Sequence, residues 1–234
     1  MFKKIIIFYV VTMLCASIAY GTEVKYKFNR NTCFPTSWYA APVHARTSAV
    51  SRRNVSRFSG AVKAFLSKYP SGVVDHNLKE IYVFGELQFY GKEFGATYNA
   101  DKIYIRYNDS RFADWPGLAT RQLHHEFSSV LMSKHHFPKS EWVSKNKGAY
   151  VSKDKGRDML NSLGRDEHTS LFKKGFLTSY GRADFENDVN IYAEYVFVFP
   201  NKLDRLGKKY SVVNAKAKII RNFYCGINKG FSFC

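Results

Sequence analysis

The chain has 234 residues and a mass of 27.0 kDa, is 45% hydrophobic, and carries 36 Lys and Arg against 19 Asp and Glu, a formal net charge of +17. That length suits one domain of ordinary size with a real core. A polytopic membrane protein is excluded, since beyond the N-terminus no segment is apolar enough to cross a bilayer, and there is no internal repeat or long low-complexity tract.

In chain order, Met1-Phe2-Lys3-Lys4 followed by an uncharged run from Ile5 to Tyr20 reads as a secretory signal, with a small-residue end at Ala19-Tyr20-Gly21 and cleavage expected after Gly21. The alternative is an uncleaved anchor, but a run of 16 residues is short against the roughly 20 of a membrane span. Cys15 follows Thr12-Met13-Leu14, which lacks the small residue of a lipoprotein signal. Loss of Lys3 and Lys4 leaves 34 cations against 19 acids, a mature charge of +15. So high a charge on an exported, periplasmic or secreted protein favours anionic partners such as envelope polymers, lipid head groups or nucleic acid. The cations are spread along the chain, with pairs at Arg52-Arg53, Lys173-Lys174 and Lys208-Lys209. A solvated basic surface is the plainest account of them, and no nucleic-acid-binding motif is present. Cys33, Cys225 and Cys234 remain after cleavage, and an oxidising compartment permits one disulfide among three pairings.

Residues 22–234 are expected to form a single α+β domain. Residues 22–50 read as irregular. Val55, Phe58, Val62, Phe65 and Leu66 have helical spacing within Ser51 to Tyr69, and Pro70 stops that helix. Leu78 to Phe84 alternates as a strand, Glu86 to Tyr90 continues or pairs with it, Gly91 to Ala96 turns, and Lys102 to Tyr107 is another strand. Trp115-Pro116-Gly117 opens a helix from Leu118 to about Lys134. A short helix follows near Ser140-Glu141-Trp142. Residues 144–175 read as a long polar loop. Phe185 to Phe199 is helical, ended by Pro200, and Leu203 to Tyr224 gives a last helix or helix pair stopped at Gly226.

The chemistry concentrates in Leu123-His124-His125-Glu126-Phe127-Ser128-Ser129. A zinc hydrolase of the His-Glu-x-x-His type needs two imidazoles one helical turn apart, with the intervening glutamate acting on the metal-bound water. His125 and Glu126 match, but Ser129 stands where the second imidazole belongs. On a helix Leu123, Phe127, Val130 and Leu131 form the core stripe, while His125 and Ser129 share another stripe beside Gln122. The bland alternative is a partly buried histidine capped by a polar neighbour.

The stretch from about Leu78 to Phe231 resembles the bacterial putative zinc-binding metallopeptidases of the gluzincin-like kind. The matching pieces are Ile81-Tyr82-Val83-Phe84, Gly95-Ala96-Thr97-Tyr98, Ile103-Tyr104-Ile105, the helix around His125-Glu126, Gly175 to Tyr180, and Glu186-Asn187-Asp188 with Tyr192-Ala193-Glu194-Tyr195. The resemblance implies a zincin-like fold, a small mixed or antiparallel sheet packed on the active-site helix, and a mostly helical C-terminal part. It implies a zinc cofactor and a peptide or protein substrate. His125 and Glu186 would bind the metal, with Glu194 as an alternative ligand or as the carboxylate that orients an imidazole. Glu126 would be general base and Tyr180 an oxyanion donor. Glu186 shares a stripe with Asn190, Ala193 and Phe197, so it is expected to point inward, with Asp188 on the opposite side and Glu194 at the edge; the alternative is that Glu186 serves its helix N-terminus. The departure at Ser129 leaves three outcomes: completion by His124, His135, His136 or His168, a degenerate site acting as a basic binding module, or a different ligand set.

Overall fold

The computed structural model describes residues 33–108, 117–147, 149–151 and 166–234. The expected leader and residues 152–165 of the expected loop lie outside them. Among the described residues no helix is long and apolar enough to cross a membrane.

The N-terminal segment holds a short helix α1 (Thr36–Tyr39) and a strand β1 (Arg46–Ser48), where irregular chain was expected. Three residues are too few to show an alternation. The helix α2 (Arg52–Leu66) begins at Ser51, whose side chain accepts from the Asn54 N–H at 3.3 Å, and buries Phe58, Val62 and Phe65. A single turn, α3 (Val73–Asn77), leads into β2 (Glu80–Phe84), β3 (Glu86–Phe89), β4 (Lys92–Glu93), β5 (Ala96–Asn99) and β6 (Lys102–Arg106).

These strands make two three-stranded sheets, β1-β3-β4 and β2-β6-β5. In the second, β2 runs parallel to β6 with Tyr82 opposite Tyr104, and β5 runs antiparallel to β6. Alternation sorts its side chains by face. Ile81, Val83, Ile103 and Ile105 enter the main core, while Tyr82, Phe84 and Tyr104 join Cys33, Phe34, Leu87 and Phe89 in a smaller aromatic cluster. The β3 strand neither continues β2 nor pairs with it, the two expected alternatives; it pairs with β1 and β4. The chain changes sheets at Gly85, which donates to the Ser48 carbonyl at 3.0 Å. A Cβ there would stand 2.3 Å from the Ala49 carbonyl oxygen, so only glycine permits the crossing.

The helical part comprises α4 (Leu118–Lys134), α5 (Lys139–Lys145), α6 (Thr169–Lys173), a 3-10 turn (Tyr180–Arg182), α7 (Phe185–Val198), α8 (Pro200–Lys209) and α9 (Ser211–Ile227). The fold is therefore α+β, with small sheets and a helical C-terminal part. Helix α4 buries Leu123, Phe127, Val130 and Leu131 and packs against α2, β5, β6 and α7. In α7, begun by Asp184 accepting from the Asn187 N–H at 2.8 Å, every residue from Asp188 to Phe197 is buried. A helix enclosed on nearly all sides has no exposed face to contrast with a buried one. The orientations expected of Asp188 and Glu194 are corrected accordingly, since both are fully buried, while Glu186, in the first turn, is half-buried and turned toward Tyr98. Helix α9 runs through Gly226, and the disulfide joins Cys225 to Cys234, leaving Cys33 buried and free.

Candidate functional site

Helices α4 and α7 run antiparallel and present side chains at steps of four residues, the spacing of one helix face. Arg121, His125 and Ser129 form the ladder on α4; Glu194, Asn190 and Glu186 form the ladder on α7, in opposite order. Arg121 Nε donates to Glu194 Oε2 at 2.8 Å, and His125 Nδ1 donates to Glu194 Oε1 at 2.9 Å. The Glu194 side chain is fully buried, whereas those of His125 and Arg121 keep 7% and 11% of their surface. One turn on, Asn190 Nδ2 donates to Ser129 Oγ at 2.7 Å. The Tyr180 ring meets the His125 imidazole edge-on at 5.8 Å between centroids, and the Arg121 guanidinium lies 5.1 Å above the Phe199 ring.

A second group gathers around Tyr98 of β5. Its hydroxyl interacts with Glu186 and Ser129 and lies in the field of Glu126. Burial first, then the negative charge of Glu186, push the Tyr98 phenol above its usual range, so it stays protonated as a donor. Nearby, a Cβ on Gly95 would stand 2.4 Å from Gln122 Nε2, so the strand approaches α4 as closely as it does because residue 95 has no side chain.

The structure thus joins His125 to Glu194, and Glu186 with Glu126 and Ser129 to Tyr98. The histidines considered for completing a metal site all lie elsewhere. His124 is buried, shares a 2.9 Å hydrogen bond with the Tyr69 hydroxyl, and stacks on Phe197 at 4.7 Å. Burial lowers its pKa to about 3 against the opposing charge of Glu194. His135 bonds Asn77 Oδ1 at 3.0 Å, His136 lines a groove between α5 and α9, and the exposed His168 precedes α6.

Hydrolytic zinc needs three protein ligands with one open position. Among the described residues no group of three or more His, Cys, Asp and Glu stands ready to hold a metal ion. His125 bonds Glu194 through Nδ1 and keeps Nε2, but both Glu194 oxygens are engaged and Ser129 is bonded to Asn190. Among the described residues the donor set falls short of what hydrolytic zinc needs.

A family model described as "Putative zinc-binding metallo-peptidase" matches residues 16–225. The chain belongs to this family. Among curated proteins none matches the chain. A crystal structure of a putative zinc-binding metallo-peptidase from Bacteroides caccae is similar in fold, with a TM-score of 0.50 and 12% identity over 74% of this chain and 69% of that one. Within the metallopeptidase fold, sequence reasoning missed Arg121, Asn190 and Tyr98. The signal for the first two was the spacing itself: Arg121 lies four residues before His125, and Asn190 lies midway between Glu186 and Glu194.

Proposed function

We propose that this chain is an exported member of the metallopeptidase family in which the hydrolytic metal has been given up, and that it acts as a basic binding module at the cell envelope. The observation that carries this reading is the hydrogen bond from Asn190 to Ser129. It fills the position of the missing second imidazole with a neutral interhelical contact. Export is supported by the leader pattern of residues 1–21 and by the Cys225–Cys234 disulfide, which suits an oxidising compartment. The peptidase character of the family makes a peptide or protein segment the natural ligand of such a module.

One observation favours a second reading, an exported zinc-dependent peptidase. A ligating imidazole commonly donates its other nitrogen to a carboxylate, which is what His125 does with Glu194, and Glu126 is its immediate neighbour. That reading asks Glu186 and a further donor to join His125. The two readings separate in one assay: hydrolysis of a diverse peptide pool by the mature protein supplied with zinc, beside its Glu126→Gln variant. The proposal expects no cleavage above background from either. Cleavage abolished by Glu126→Gln would establish the peptidase.

A further inference from the structure

Two exposed lysine pairs far apart in sequence flank a single contact between two aromatic rings. Lys173 ends α6 and Lys174 is its C-cap, and Lys208 and Lys209 end α8. The rings beside them, Phe172 and Tyr210, meet at 5.5 Å between centroids. Gly175 (φ +80) lies against α9 so closely that a Cβ would stand 2.5 Å from Val212 Cγ1. All four lysines are exposed. None pairs with a carboxylate among the described residues; Lys209 lies 5.5 Å over the Tyr210 ring, and Glu167, Asp204 and Asp188 pair instead with Lys202, Arg221 and Lys216. Arg205 adds a fifth exposed cation on α8.

We propose that this convergent lysine face docks the protein onto a bilayer surface rich in anionic phospholipid. The inference takes up the binding role proposed above and is independent of the loss of the metal. Charges gathered within roughly a Debye length of about 8–10 Å act jointly on a charged surface. A plane of head groups needs no groove, and the four lysines do not line the groove of about 640 Å³ between the end of α4, α5 and α9. A single-stranded nucleic acid would call for aromatic stacking platforms. Among the described residues the exposed large hydrophobic side chain is Tyr90, at the β3–β4 turn.

The test is co-sedimentation of the mature chain at low salt with vesicles of phosphatidylglycerol mixed into phosphatidylcholine, and with phosphatidylcholine alone. Three proteins are compared: wild type; Lys173→Gln/Lys174→Gln/Lys208→Gln/Lys209→Gln; and a charge-matched control, Lys63→Gln/Lys68→Gln/Lys92→Gln/Lys229→Gln, also exposed. Circular dichroism checks that each is folded. At roughly fivefold per lysine, the first variant should lose on the order of several hundred-fold in affinity for anionic vesicles, and the control far less. Equal losses in the two variants overturn this surface while leaving a basic binding role intact. Failure of the wild type to bind anionic vesicles overturns both. Equal binding to neutral vesicles removes the electrostatic basis. Tighter binding of a single-stranded oligonucleotide through the same lysines replaces the membrane with a nucleic acid and also overturns the proposal.

Discussion

Asp188 and Glu194 are both fully buried carboxylates on α7, yet they turn toward different neighbours and into different surroundings. Asp188 Oδ2 accepts from Trp142 Nε1 at 3.0 Å, Asn146 Nδ2 at 3.3 Å and the Tyr150 hydroxyl at 2.8 Å, and pairs with Lys216. Lys216 in turn donates to the Gly175 carbonyl at 2.9 Å and lies among the rings of Trp142, Phe176 and Tyr192. Burial raises the Asp188 pKa and lowers that of Lys216, and their pairing pulls both back. Glu194 instead holds an imidazole and a guanidinium that both keep some surface. A buried carboxylate therefore does not by itself mark a site. What separates the two is access: the Asp188 cluster is sealed in aromatic side chains and ties α5, α7 and α9 together, while the Glu194 cluster reaches the surface through His125 and Arg121.

The contrast can be broken by mutation. Lys216→Met leaves a carboxylate buried without its cation and should cost about 3–5 kcal/mol of stability in urea unfolding. Asp188→Leu/Lys216→Met should recover most of that; if the single variant costs under about 1 kcal/mol, as exposed pairs do, the sealed cluster is not what holds the helices. Arg121→Met should cost less, about 2–4 kcal/mol, because His125 stays on Glu194 and Arg121 is 11% exposed. A cost equal to that of Lys216→Met would erase the distinction between the two faces. Ser129→Ala strands the Asn190 donor and should cost about 1–3 kcal/mol, whereas Ser129→Ala/Asn190→Leu should return close to wild type.

His124 is fully buried and gives the pH dependence. Its folded pKa of about 3 is below the unfolded value of 6.5. Its contribution is complete above pH 6.5 and is lost as pH falls toward 3, because the unfolded chain takes up a proton that the folded one refuses. The slope approaches about 1.4 kcal/mol per pH unit. His124→Gln should flatten the stability profile in that window; an unchanged profile would show that His124 is protonated in the fold.

Much of this was legible beforehand where one face of an element is buried and the other is not. Helix α4 was readable to its ends because Leu123, Phe127, Val130 and Leu131 contrast with polar neighbours and Gly117 marks the start. Strands β2 and β6 were readable from alternation. Helix α7 is not readable by face, since a segment buried all round offers no exposed side to contrast with, and so the burial of Asp188 and Glu194 does not follow from the pattern. Strands of two to four residues such as β1 and β4 carry too few positions for a period, and the change of sheet at Gly85 depends on a contact with Ala49 that no local pattern encodes. The contact of Asn190 with Ser129 required only pairing two spacings of four across an antiparallel helix pair.

The most direct test of the central claim is the zinc content of the mature protein. The protein is equilibrated in zinc-buffered solution, freed of unbound metal and analysed by elemental mass spectrometry. Neutral replacement of the second imidazole by the Ser129–Asn190 pair predicts substoichiometric zinc, unchanged by His125→Ala. One tightly held zinc per chain, lost on His125→Ala, would contradict it.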